Sequence, residues 1–159
     1  MADIKNPPDE KALRYGVELL FYAYRDFTAD PDAILAKYRF GRAHHRVVHF
    51  VGRYPDITVA ELLAILRITK QSLARVLGQL VRQGYVRQRA GERDRRQRLL
   101  SLTERGLTLD RQLSAPQHAR FARAFAESGA EAVEEWHKVM IRLIDPDQRE
   151  HVEALLRKT

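Results

Sequence analysis

Between Thr58 and Thr103 the hydrophobic period changes from helical to extended and back, and few folds accommodate that order in so short a span. Thr58 and Glu61 are spaced as a T-x-x-E capping box, and Ile57 and Leu62 sit where a hydrophobic staple would close. A short helix over residues 59–66 follows from that spacing. The pattern breaks near Arg67 and Ile68. A second helix is expected over residues 69–83, because Leu73, Val76, Leu77, Leu80 and Val81 fall on one stripe. Gly84 then supplies a residue that takes the left-handed conformation beyond a helix end. After it the period drops to two. Residues 85–89 and 97–102 read as short strands, joined by a polar, charged turn over residues 90–96.

The flanking segments read as helices. Leu13, Val17, Leu20, Phe21 and Tyr24 give an amphipathic helix over residues 9–27. Asp30 before Pro31 reads as an N-cap followed by a first-turn proline, so a separate short helix over residues 31–37 is expected. Ala43, Val47, Phe50, Val51 and Tyr54 mark one over residues 41–54 that stops at Pro55. Thr103 caps a long helix over residues 103–127, which Pro116 should bend or interrupt. Residues 130–144 form another. The last follows Pro146 to about residue 157, with Asp145 and Gln148 spaced as a second capping box. The fold class is mainly α with a small β-hairpin. Residues 9–40 and 107–157 are expected to flank a central domain of residues 41–106.

Charge is concentrated in that centre. Of 28 Lys and Arg residues, ten lie between Ile68 and Arg105 against three acids, which leaves eighteen basic and eighteen acidic side chains elsewhere. The whole net charge of +7 therefore belongs to one segment. Such a localised positive field suits a polyanion, because every phosphate neutralised releases condensed counterions. There is no cysteine, which removes disulfides, thiolate metal sites and thiol redox sensing. No apolar run approaches a membrane span and the first residues have no signal-peptide pattern, so a cytoplasmic protein is expected.

On the helix of residues 69–83, Gln71, Arg75, Gly78 and Arg82 lie opposite the apolar stripe, with Lys70, Ser72 and Gln79 at its start and flank. Arg, Gln and Ser are the side chains that read base edges and phosphates. A capped short helix, a tight turn, a second helix with this face and then a basic hairpin follow one another as in a winged helix-turn-helix, whose second helix enters the major groove.

The runs Ile57-Thr58-Val59-Ala60-Glu61-Leu62-Leu63, Ile68-Thr69-Lys70-Gln71-Ser72-Leu73-Ala74-Arg75-Val76-Leu77, Asp94-Arg95-Arg96 and Leu102-Thr103-Glu104-Arg105-Gly106 resemble the MarR family (multiple antibiotic resistance regulators) over about residues 40–113. Residues 41–46 and the hairpin resemble its alphaproteobacterial branch. The resemblance implies a transcriptional regulator that binds a pseudo-palindromic double-stranded DNA operator as a homodimer, a repressor relieved by a small aromatic or anionic effector. It makes Arg96 the wing residue inserted into the minor groove and Asp94 its orienting partner. Arg93, Arg95 and Arg98 would meet phosphates. The helices at both ends would form the dimer, in agreement with apolar stripes the central domain could not cover alone.

The resemblance also implies an effector cleft between the dimerisation helices and the winged domain, and Tyr15, Tyr22, His44 and His45 come from the helices that would line it. His45 and His49 are four apart, a spacing that can hold a metal, but no third ligand accompanies them and no metal or cofactor is expected. No Gly-rich phosphate loop, G-x-S-x-G or apolar carboxylate pair is present, so an enzyme is not expected. The alternative is a basic nucleic-acid-binding or adaptor protein without a ligand. RNA modules interleave aromatics for stacking, however, and only Tyr85 is aromatic within the basic segment.

Overall fold

The computed structural model describes residues 8–158. In chain order it contains α1 (Glu10–Lys37), α2 (Arg42–Arg53), β1 (Ile57–Thr58), α3 (Val59–Leu66), α4 (Lys70–Arg82), β2 (Val86–Ala90), β3 (Arg98–Leu102), α5 (Glu104–Ser128), α6 (Ala130–Leu143) and α7 (Arg149–Leu156). The three strands form an antiparallel sheet in the order β1-β3-β2. Val86 pairs with Leu102 and Ala90 with Arg98, while Ile57 pairs with Leu100 on the other edge of β3.

Capping chemistry places the short helices. Thr58 Oγ1 accepts the Glu61 N–H at 3.1 Å and the Glu61 carboxylate accepts the Thr58 N–H at 2.8 Å, which is the reciprocal box the spacing requires. The α3–α4 turn is made by Arg67, which adopts φ 51°, and Thr69 caps α4 by accepting the Ser72 N–H at 3.1 Å. Helices α1 and α4 end alike. Phe40 N–H bonds Leu35 O and Arg39 N–H bonds Ala36 O, just as Tyr85 N–H bonds Leu80 O and Gly84 N–H bonds Val81 O. The left-handed residue is Gly84 after α4 but Arg39, at φ 57°, after α1.

The chain divides into two compact units, Met1–Gln117 and His118–Thr159. In the first, Val47, Val48 and Val51 of α2 pack with Leu62, Leu73, Val76, Leu80, Leu100, Leu109 and Leu113, all essentially inaccessible to water. Burying each such side chain contributes about 1.5–3 kcal/mol. Because Leu109 and Leu113 belong to this core, the first unit continues past Gly106 into α5. Thr103 closes the base of the hairpin onto α5: its hydroxyl donates to Gly84 O at 2.6 Å and accepts the Gly106 N–H at 3.1 Å. In the second unit, Phe121, Phe125, Trp136 and His137 form a ring cluster with centroids 5.2–6.1 Å apart, as in Phe125–Trp136 at 5.7 Å and Phe121–Phe125 at 5.3 Å.

Three expectations about helix limits need correction. Residues 10–37 form one helix with Pro31 inside it, not two. Thr28, Pro31 and Leu35 are buried on one face, and that packing outweighs the ~3 kcal/mol an interior proline costs. Pro116 likewise lies inside an unbroken α5. The last helix, α7, starts only at Arg149 with Gln148 as its N-cap, behind a turn over residues 146–148, and not directly after Asp145-Pro146. The two-residue β1 was not expected at all, since a period cannot show itself in two residues.

Candidate nucleic-acid interface

Helix α4 is held by Leu73, Val76, Leu77 and Leu80, which are buried, so its other face is fixed outward. Lys70, Gln71, Ser72, Arg75 and Arg82 are exposed on it. Among the described residues none pairs with Lys70, Arg75 or Arg82, whereas Ser72 Oγ accepts from Thr69 Oγ1 at 2.9 Å. Gln79 is placed differently from the rest of the expected reading face. It is half-buried, and its Oε1 lies 2.8 Å from Nε2 of the buried His44.

The β2–β3 hairpin is closed by its own backbone. Gly91 N–H donates to Gln97 O at 3.0 Å, Gln97 N–H to Asp94 O at 3.1 Å, and the Asp94 carboxylate accepts the Arg96 N–H at 2.9 Å. Asp94 thus orders the loop through the main chain of Arg96, not through its guanidinium. A Cβ at residue 91 would meet Asp94 O at 2.6 Å, so the tight loop requires glycine there. Arg93, Arg95, Arg96 and Arg98 are exposed and have no ion-pair partner among the described residues. Arg89 is the neutralised member of the cluster: it pairs with Asp56 at 3.2 Å across the sheet and approaches Glu92 at 3.8 Å. Arg105 lies over the Tyr85 ring at 4.5 Å and donates to its hydroxyl at 3.1 Å. The result is a helix and a hairpin that both present free cations from one small domain.

A cleft of about 250 Å³ opens between α1 and α2, lined by Tyr24, Asp32, Arg42, His45, Arg46 and His49 among others. Of the four residues expected in a ligand cleft, only His45 is there. His44 points about 100° away around α2 and is buried in the core, because that is the angle between neighbouring helical residues. Tyr15 and Tyr22 lie on the exposed N-terminal part of α1, where the Tyr22 ring meets Phe21 and carries Arg25 at 4.9 Å. Sequence reasoning missed Arg42 and Arg46 and weighed His49 only as a metal ligand, although their spacing with His45 already put them on one helical face. Arg42 is clamped by Asp32 at 2.9 and 3.1 Å, and Arg46 donates to the Tyr24 hydroxyl at 3.0 Å. The pKa of His45 is lowered, first by burial and then by His49 and Arg46, with Asp32 opposing. Among the described residues no three His, Cys, Asp or Glu side chains converge as metal ligands.

Capped helix, turn, outward-facing second helix and basic hairpin on a three-stranded sheet define a winged helix-turn-helix protein. The MarR family model matches residues 40–97, which span that unit. The chain is 47% identical over 146 residues to the HTH-type transcriptional regulator PetP of Rhodobacter capsulatus, covering 92% of this chain and 88% of PetP. The protein belongs to the MarR family of transcriptional regulators and is not an enzyme. The same fold recurs in Streptococcus pneumoniae FabT in complex with DNA, with TM-score 0.71 and 21% identity over 90% of this chain and 99% of that one. A mutant MarR from E. coli complexed with operator DNA gives TM-score 0.62 and 20% identity, over 80% and 92%.

Proposed function

We propose that the protein is a sequence-specific, double-stranded DNA-binding repressor that grips a pseudo-palindromic operator as a homodimer and is released by a small effector. The observation that carries this reading is the set of cations without an ion-pair partner among the described residues on two adjoining elements, Lys70, Arg75 and Arg82 on α4 and Arg93, Arg95, Arg96 and Arg98 on the wing. Helix α4 would read base edges in the major groove through Gln71, Ser72 and Arg75, and the wing would reach the minor groove. RNA is the weaker alternative, because Tyr85, the one aromatic of the basic segment, is buried and cannot stack on a base.

The dimer is supported by α1, where Leu13, Val17, Leu20 and Phe21 are about half or more exposed, from 49% to 71%. A contiguous apolar face of that kind is ordinarily covered by a partner. The cleft at His45, rimmed by Arg42 and Arg46, suits a small anionic or aromatic effector. Among the described residues no helix is long and apolar enough to cross a membrane.

The test is binding of duplexes selected by the wild-type protein from a random pool. Arg75→Ala should relax base preference at one position and cost about 1–3 kcal/mol. Arg96→Ala should weaken all duplexes without changing major-groove preference, and affinity should fall steeply with salt. Unchanged binding by both variants, or a flat salt response, defeats the reading.

A further inference from the structure

Two consecutive histidines of α2 face different sides of the helix. His45 lines the cleft on the α1 side, while His44 is buried, with its ring stacked on Phe40 at 4.6 Å and 13°. His44 Nδ1 accepts the Gly41 N–H at 3.0 Å, so the ring proton resides on Nε2 and is donated to Gln79 Oε1 at 2.8 Å. Gly41 is the residue that opens α2, directly after the Phe40 that closes α1. Gln79 stands one turn beyond Arg75 on α4. One ring therefore links the α1–α2 junction to the reading helix by a directed chain of two hydrogen bonds.

Apolar packing alone leaves a helix some freedom to roll, because dispersion and burial have no direction. A hydrogen bond from a buried, stacked ring does have one. We propose that His44 is a positioning residue for base reading: through Gln79 it fixes the roll of α4, and with it the angle at which Gln71, Ser72 and Arg75 meet the groove. The idea rests on the proposed sequence-specific DNA binding. It gives Gln79 a role on the inner side of the helix in place of a base contact. It also makes α2 the element through which a change at the His45 cleft reaches α4.

The experiment uses the full-length protein, a duplex selected by it from a random pool, and a random duplex of equal length at the same salt. His44→Phe keeps the ring and its stacking but removes both hydrogen bonds. It should lower discrimination between the two duplexes about threefold to tenfold, the worth of one neutral hydrogen bond, with random-duplex affinity unchanged. His44→Gln, whose amide nitrogen can replace Nε2 as donor, should recover most of it. Gln79→Leu, at a half-exposed position, should reproduce the loss even where His44→Phe folds poorly, and the double variant should be no worse than either single one. Nitrogen-15 shifts of the wild-type ring should report the proton on Nε2. The proposal is overturned by unchanged discrimination, by selected and random affinities falling together, by additive losses, or by a proton on Nδ1. A wild-type protein that selects no sequence overturns the DNA-reading function itself, and this proposal with it.

Discussion

Replacing Gly106 with alanine would seat a methyl group against the Tyr85 carbonyl, far inside the 3.0 Å that real Cβ contacts keep, with the Tyr85 carbonyl carbon at 3.1 Å and Leu102 Cβ at 3.2 Å. None of these is the loose end of a flexible side chain. The carbonyl is also engaged, accepting the Thr103 N–H at 3.1 Å and the Thr103 hydroxyl at 3.2 Å. Helix propensity favours alanine over glycine by about 1 kcal/mol. Overpacking opposes it by about 1–3 kcal/mol, and loosening the two Thr103 bonds adds about 1 kcal/mol each. The net expectation is a loss of about 2–4 kcal/mol, which lowers the midpoint of a chain this size by several degrees or more, at about 2–4 °C per kcal/mol. Urea unfolding at fixed protein concentration measures it. A G106A protein with an unchanged or higher midpoint and unchanged slope would refute the argument that this close approach governs the joint between wing and α5.

Gly78 provides the contrast. A Cβ there meets only the mobile end of Arg82, at 3.1 Å, so Gly78→Ala should raise stability by up to about 1 kcal/mol. If it also weakens selected-duplex binding, the α4 backbone approaches DNA closely at that point; if binding is unaltered, it does not. His45 makes a pH prediction. Its pKa lies below the ordinary 6.5 in the folded chain, mainly through burial, so the unfolded chain takes up the proton first. Its contribution is therefore constant above that value and becomes destabilising as pH falls through about 6.5, levelling once the folded chain is protonated too. Unfolding midpoints of wild type and His45→Gln should diverge across that window, and a constant gap from about pH 8 to about pH 5 would contradict the assignment.

What the sequence disclosed and what it hid divide along a physical line. Features written in neighbouring residues were legible: the Thr58–Glu61 box, the apolar stripe of α4, Gly84 as a left-handed stop and the strands on either side of the basic turn. Features that depend on residues distant in the chain were not. His44 and Gln79 are 35 positions apart, and nothing local marks a histidine as buried when its neighbour faces a cleft. Pro31 reads as a helix start until Thr28 and Leu35 are seen buried beside it. Asp94 illustrates a subtler case, since its proximity to Arg96 was evident but its hydrogen bond goes to the main chain.

Arg39 and Arg67 occupy turns whose left-handed backbone glycine adopts more readily, by about 1–2 kcal/mol per residue. Exchange to glycine would relax both turns and subtract two positive charges from a protein whose partner is argued to be a polyanion. Heat tolerance and grip on that partner thus pull the same two codons in opposite directions. Relatives adapted to hot surroundings are expected to resolve the conflict by moving positive charge onto helix faces, where it carries no conformational penalty.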